Sequence, residues 1–314
     1  MIKEVASLKL PAAENWVIRK NRLIPPHADP SLAGLKRFCV VTGIHGDELE
    51  GQYVCYELNR RLQEHPEFLK GIVDIYPAAN PLGIDTLQRG IPLFDLDMNR
   101  IFPGSDHGAV AEWVAHRLIE DIRGADAAVD LHASNIFLRE IPQCRININT
   151  ADELIPLAKY LDVDFIWVHQ AVTVLESTLA YSLNSIGVKT LVVEEGVGMR
   201  ITREYGERLV NGILCLLKHL GIWDGPVDKV REPIVSVDRA VSFINAEASG
   251  VFIPESRHSQ MVKRGESVGE IVDPLSGKVL ENCTAPSDGL LFTLREYPIV
   301  NEGSLIARIL EEAK

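Results

Sequence analysis

The sequence predicts an α/β fold: a three-layer α/β/α sandwich on a mostly parallel mixed sheet, with a small all-β unit at the C-terminus. Three observations carry that expectation. From residue 37 to 220 short apolar runs alternate with segments of helical period, as repeated βαβ units require. The first run, within residues 40–51 (VVTGIHGDELEG), breaks at Gly43 and turns through Ile44, His45 and Gly46 into a helix expected to begin near Asp47. Across residues 225–233 the grammar changes to proline, glycine, valine and charged residues, followed by short strands without helical period, which divides the chain into 1–228 and 229–314.

Taken in order, residues 1–26 alternate enough, with Val5, Leu8 and Leu10 and then Trp16, Val17 and Ile18, for one or two N-terminal strands. Residues 37–42 read as a buried strand and 47–63 as a helix with an apolar stripe of Leu49, Val54, Leu58 and Leu62. A second strand at 71–77 leads into residues 78–108, rich in Pro, Gly, Asp and Asn; loops of that length inside compact domains tend to be functional. The alternation continues with a helix at 109–122, a strand at 126–131 ending at His132, a segment around 141–148, a helix at 152–161 and a strand at 165–168. A helix at 178–186, a strand at 189–193 and a helix at 202–220 complete it. Ligands of open α/β sheets bind beyond the carboxyl ends of strands, and those ends carry His45, Asn80, His132 and Glu194.

Composition removes several classes of function. With 314 residues and 46% hydrophobic content the chain is long enough for one large domain and a smaller one. No apolar run approaches the ~20 residues of a membrane-spanning helix, and residues 1–11 lack the apolar core of a signal peptide, so a soluble, cytoplasmic protein is expected. A net charge of −12 argues against nucleic-acid or anionic-membrane partners and leaves room for a local basic pocket. Cys39, Cys55, Cys144, Cys215 and Cys283 are scattered through mostly apolar segments, as small buried hydrophobes rather than a disulfide framework or a zinc set.

His45 and Glu48, three residues apart at a strand end, point the same way once a helix has begun. An imidazole and a carboxylate so placed suit Zn²⁺, whereas the plain alternative is a solvated first turn favoured by the helix dipole. His132 offers the third ligand. Two His and one Glu leave a position open to water, as catalytic zinc sites do, with one ion per chain. Asp130, two residues earlier on a strand, shares the side of His132, and a metal-bound imidazole commonly donates its other nitrogen to a carboxylate or carbonyl. In VVEEG (192–196) successive residues face opposite ways, so one of Glu194 and Glu195 looks into the site, where a carboxylate serves as general base; a salt-bridged strand end is the competing role. The long loop adds Arg89 and, in DLDMNRIFPG (95–104), Asn99 and Arg100. A guanidinium fork captures a carboxylate or stabilises an oxyanion. Asp95, Asp97 and Asn99 lack the glycine and terminal Glu of an EF-hand calcium loop.

Residues 250–271 and 289–309 are weakly duplicated, Val262, Gly265 and Ile271 aligning with Val300, Gly303 and Ile309, which fits a β module of two similar halves. The module resembles a biotinyl/lipoyl-type barrel-sandwich domain. Lys278, in DPLSGKVLEN (273–282), lacks the flanking residues of a modifiable carrier lysine and reads as a solvated loop lysine.

The ordered set HGDELEG (45–51), Asn80-Pro81, Arg89, MNRIFPG (98–104), DLH (130–132) and ExG (194–196) resembles the succinylglutamate desuccinylase/aspartoacylase group of the zinc carboxypeptidase superfamily, over roughly residues 37–220. The C-terminal module resembles extensions of bacterial members. The resemblance implies a zinc-carboxypeptidase-like sandwich with His45, Glu48 and His132 as zinc ligands and Glu194, rather than Glu195, as general base. It implies that Arg89 polarises the scissile carbonyl and that Asn99 and Arg100 hold a substrate carboxylate. The run DLDMNR stands where aspartoacylases have DLNR, which leaves the acyl preference open. Arg139 and Arg145, after His132, are further candidate substrate contacts. The implied activity is a zinc-dependent amidohydrolase that removes the acyl group from an N-acyl amino acid or a similar small carboxylate-bearing amide. A zinc carboxypeptidase acting on peptides needs the same clamp. A non-catalytic ligand-binding protein is the alternative of another class, and the intact set of ligands and acid argues against it. A homo-oligomer is left open.

Overall fold

Each apolar run that the alternation marks is a strand in the computed structural model, which describes residues 1–170, 176–237 and 240–311. The strands β1 (Ile2–Lys9) and β2 (Asn15–Leu23) pair antiparallel. The chain continues through β3 (Arg37–Thr42), α1 (Glu50–Glu64), β4 (Ile72–Tyr76), α2 (Pro81–Thr86), α3 (Val110–Ile122), β5 (Ala127–Ala133) and β6 (Leu138–Asn147). It goes on with α4 (Ala151–Ala158), β7 (Phe165–His169), α5 (Leu179–Ser185), β8 (Lys189–Gly196), α6 (Arg203–His219) and β9 (Ile234–Val237). The last part is all strand: β10 (Val241–Asn245), β11 (Gly250–Pro254), β12 (Met261–Val262), β13 (Ser267–Asp273), β14 (Lys278–Thr284), β15 (Gly289–Arg295), β16 (Ile299–Val300) and β17 (Leu305–Glu311).

One sheet runs β1-β2-β4-β3-β5-β8-β6-β15-β17-β10, with β7 and β9 added beside β6 and β12 beside β15. Its centre, β4-β3-β5-β8, is parallel, while β2 and β6 join antiparallel, so the sheet is mixed. Alternation along the central strands divides two cores. Val40, Val129 and Leu131 face Val54, Leu58 and Leu62 of α1 together with Leu209, Ile213 and Leu217 of α6. Cys39, Val41 and Ala128 face Val114 and Leu118 of α3 and Leu179 and Leu183 of α5. These are the three layers of the expected sandwich.

Two departures shape the site. After β5 the chain turns through residues 134–137 straight into β6, and β8 later fills the place between them, so the βαβ alternation is interrupted there. A bulge shifts the β6–β8 register between Glu140 and Gln143. The second departure is the helix start: α1 begins at Glu50, three residues beyond the expected Asp47. The backbone of the preceding turn is bonded elsewhere, with Asn80 N on Gly43 O at 2.7 Å, Asn80 Nδ2 on Ile44 O at 3.3 Å and Gly46 N on Gln88 O at 3.1 Å. Gly43 has φ +70°, and a Cβ on Gly46 would collide with the backbone of Gly83. Residues 78–108 are therefore not a bare loop: they contain α2, capped by Asn80, and a 3₁₀ turn at Met98–Arg100. Asn80 is fully buried and spent on this scaffold rather than delivered to the site edge.

In the C-terminal part a second sheet, β14-β13-β11-β16, packs against β15 and β17 of the large sheet through Phe252, Val268, Ile271, Leu291, Ile306 and Ile309. The described strands do not close into a barrel. The duplication is visible: Val262 ends β12 and Val300 ends β16, Gly265 and Gly303 both turn with φ +83°, and β13 and β17 follow. Lys278 opens β14 and is exposed. All five cysteines are free and buried. Among the described residues no helix is long and apolar enough to cross a membrane.

Candidate active site

The carboxyl ends of β3, β5 and β8 open on a cavity of about 640 Å³. His45 and Glu48 come from the turn after β3, His132 from β5 and Glu194 from β8, where it stands directly beside His132 in the parallel register. Arg89, Asn99 and Arg100 reach the same cavity from the segment that follows β4. All seven predicted site residues thus meet in one place.

His45, Glu48 and His132 are at least 95% buried, and one ligand atom from each lies within 4.8 Å of the others. His45 Nδ1 is 2.8 Å from Glu48 Oε1 and His132 Nδ1 is 2.8 Å from Glu48 Oε2. The first pair is too poorly aligned to be a hydrogen bond, which leaves His45 Nδ1 buried without a partner. Two imidazole nitrogens and a carboxylate in this arrangement fit the donor set of a cation such as zinc, whose tetrahedral ligands stand roughly 3.3 Å apart. Each far ring nitrogen faces an acid: His45 Nε2 lies 3.0 Å from Asp97 Oδ1 and His132 Nε2 3.3 Å from Asp130 Oδ2. Such partners fix ring orientation and ligand basicity. Sequence reasoning placed Asp130 beside His132 but missed Asp97, whose contact depends on the 3₁₀ turn folding back onto the turn that follows β3.

Burial opposes every charge here, and the pairs decide the outcome. Desolvation would raise the Glu48 carboxyl, yet the two imidazoles hold it well below the usual carboxylate range. Desolvation would lower His45 and His132, yet Glu48 with Asp97, and Asp130 with Glu48, lift them above the ordinary imidazole value. Glu194 moves the other way: burial raises its pKa, with Arg145 opposing and Glu140 adding to the rise. Glu195 points to the opposite face, 1% exposed, where burial and then Glu50 push it up to about 8 and neither oxygen has a hydrogen-bond partner. The alternation rule therefore separates the two acids as expected.

Arg89 Nη1 donates to Glu48 Oε1 at 2.8 Å and its Nε lies 3.5 Å from Asp97 Oδ2. Asn99 Oδ1 accepts from Leu179 N at 2.9 Å, tying the 3₁₀ turn to α5. Arg100 donates to Asn99 O and is exposed, with no carboxylate partner among the described residues. The two arginines after His132 part company. Arg139 lies away from the cavity, against Glu296 at 3.1 Å, whereas Arg145 lines it and bridges Glu140 at 2.8 Å and Glu194 at 3.2 Å. Glu140 and Arg308 also line the cavity and were not found from the sequence.

A parallel-centred α/β/α sandwich with a His-Glu-His cluster at its strand ends and an acid beside it defines a class of α/β proteins with a candidate metal site at that edge. The model of the succinylglutamate desuccinylase/aspartoacylase catalytic domain matches residues 35–220, and the chain belongs to that family. Among curated relatives it is similar to the N-alpha-acetyl-L-2,4-diaminobutyric acid deacetylase of Halomonas elongata, 26% identical over 277 residues that span 86% of this chain and 80% of the relative. Among solved structures it is similar to a succinylglutamate desuccinylase/aspartoacylase from Rhodobacter sphaeroides, with a TM-score of 0.82 and 24% identity, covering 100% of this chain and 96% of that one. The product-bound ectoine utilization protein of Ruegeria pomeroyi has a TM-score of 0.81 at 21% identity and covers 99% and 95% of the two chains. These two likenesses are of fold.

Proposed function

We propose that this protein is a zinc-dependent amidohydrolase that cleaves the amide of an N-acyl amino acid, or a similar small carboxylate-bearing amide, to a carboxylic acid and a free amine. The observation that carries the reading is the convergence of His45, Glu48 and His132 in a cavity that Glu194 and Arg100 also line. The family membership and the deacetylase relative support it. His45, Glu48 and His132 would hold the zinc ion, which would supply a Lewis acid and a water of lowered pKa. Glu194 takes the proton of the attacking water and returns it to the departing amine. Arg89 donates to the oxyanion as the carbonyl becomes tetrahedral. Arg100 anchors the substrate carboxylate, helped by Asn99 Nδ2, the half of that amide left over once Oδ1 is bonded to α5. Glu195, behind the strand, has no role in the reaction. Residues 229–314 form an accessory unit that supplies no metal ligand.

The test is a panel assay on the zinc-loaded protein. N-Acetyl-L-2,4-diaminobutyrate, N-succinyl-L-glutamate and N-acetyl-L-aspartate are set against peptides with free C-termini. Release of amine from an acyl amino acid is expected; hydrolysis of the peptides alone would replace this reading with a carboxypeptidase.

A further inference from the structure

Among the described residues, the accessory unit reaches the cavity through one side chain, Arg308. Glu140 on β6 is opposite Thr293 on β15, and Thr293 is opposite Arg308 on β17, so the three form a row across three strands. Cross-strand neighbours on one face are close enough to bond, and they do: Arg308 Nη1 donates to Glu140 Oε1 at 2.6 Å and Thr293 Oγ1 to the same oxygen at 3.3 Å. Five residues along a regular strand put Glu140 and Arg145 on opposite faces. The bulge between Glu140 and Gln143 adds the extra residue that returns them to the same face. Arg145 Nη2 then donates to both Glu140 oxygens, to Oε2 at 2.8 Å and to Oε1 at 3.0 Å, and its Nη1 meets Glu194 at 3.2 Å. The result is a run of alternating charge, Arg308, Glu140, Arg145 and Glu194, in which Glu140 is 1% exposed. Trp167 braces it, its ring 5.6 Å from the Arg145 guanidinium and 5.5 Å from that of Arg308.

We infer that Arg308 is a positioning residue for Glu194, acting through Glu140 and Arg145, so that the C-terminal unit sets the geometry of the acid at the far side of the cavity. The physical reason is competition. Glu140 is shared by two guanidinium groups, and with Arg308 donating to Oε1, Arg145 reaches Glu140 through Nη2 alone and keeps Nη1 for Glu194. Without Arg308, Glu140 takes the Arg145 fork in bidentate fashion and Glu194 loses its orienting contact. The inference rests on Glu194 being the base.

The experiment measures kcat, KM, bound zinc and melting temperature for Arg308→Met, Arg308→Lys, Glu194→Gln, the double variant Arg308→Met/Glu194→Gln and the double variant Arg308→Met/Glu140→Gln. Arg308→Met is expected to lower kcat about tenfold or more with KM and zinc content little changed, and Arg308→Lys to retain part of the loss. In the Glu194→Gln background Arg308→Met should lower the residual turnover no further, because there is no base left to orient. Neutralising Glu140 frees Arg145 for Glu194, so Arg308→Met/Glu140→Gln should regain turnover over Arg308→Met alone; this pair also keeps the buried charge balanced should the single variant fail to fold. An equal proportional loss in both backgrounds, a rise in KM alone, or no recovery on neutralising Glu140 would overturn the inference. An inactive Glu194→Gln beside an unimpaired Arg308→Met sinks only the relay, whereas a fully active Glu194→Gln sinks the assignment of the base with it.

Discussion

At the N-terminal edge of the large sheet, Lys20, Arg22, Asp74, Tyr76 and Asp121 form a buried cluster in which each side chain meets a partner. Lys20 Nζ donates to Asp121 at 2.5 Å, to Asp74 at 3.1 Å and to Tyr76 at 3.3 Å, and Arg22 grips Asp74 with a fork at 2.7 and 2.6 Å. The cavity at the carboxyl edge has similar chemistry and a different balance: His45 Nδ1, His132 Nε2 and both oxygens of Asp130 are buried with no hydrogen bond. Buried polar atoms are ordinarily satisfied, and leaving them unmade is costly. A saturated cluster therefore holds β2, β4 and α3 together and has nothing to offer a ligand. An unsaturated one keeps desolvated donors and acceptors in place for something else to complete.

That contrast breaks most visibly at Glu194. Glu194→Gln should lower turnover by ~10²–10⁴-fold, the range of general acid–base catalysis, while metal binding and melting temperature stay near parental. Steady-state kinetics beside a thermal melt read both; a large loss of stability with turnover intact would place Glu194 with the scaffold. The reverse is expected of Asp74→Ala, which removes the buried carboxylate that Lys20 and Arg22 share and should cost about 3–5 kcal/mol of stability in denaturant melts, with kcat of the folded fraction unchanged. Loss of kcat at full stability would dissolve the distinction.

Glu195 sharpens the comparison, since it is unsaturated yet faces away from the cavity. Its carboxyl, pushed up to about 8 from 4.5, keeps its proton in the folded chain where the unfolded chain has released it. Between those values the folded state binds one proton more, so stability falls as pH rises, by up to about 1.4 kcal/mol per unit. Glu195→Gln lacks that slope. Its melting temperature should gain on the parent steadily from pH 5 to pH 8, with turnover little affected. A gap constant across that range would mean that Glu195 is not protonated in the fold.

What the sequence made legible was local. His45, Glu48, His132 and Glu194 sit at the ends of parallel strands, and the end of a buried strand can be read from where an apolar run stops. The facing of Glu194 and Glu195 follows from alternation alone, and the repeat of Val262, Gly265 and Ile271 in Val300, Gly303 and Ile309 marks two equivalent turns. What escaped was set by long-range register. Asp97 reaches His45 because the 3₁₀ turn at Met98–Arg100 folds back onto the turn that follows β3. Arg308 reaches Glu140 because β15 and β17, more than a hundred residues further along the chain, extend the sheet beside β6. The start of α1 lies beyond the expected Asp47 for a related reason: partners of the 43–46 backbone lie some forty residues away, in the segment opened by Asn80.

The central claim is that Glu48, His132 Nδ1 and the unpartnered His45 Nδ1 are completed by one metal ion. Zinc titration of chelator-treated protein, followed by calorimetry and elemental analysis, tests it without needing a substrate. The parent should take up about one zinc per chain and His132→Ala should bind it far more weakly, with Asp74→Asn unaffected wherever it remains folded. Absence of zinc uptake by the parent, or equal affinity in His132→Ala, would contradict the account.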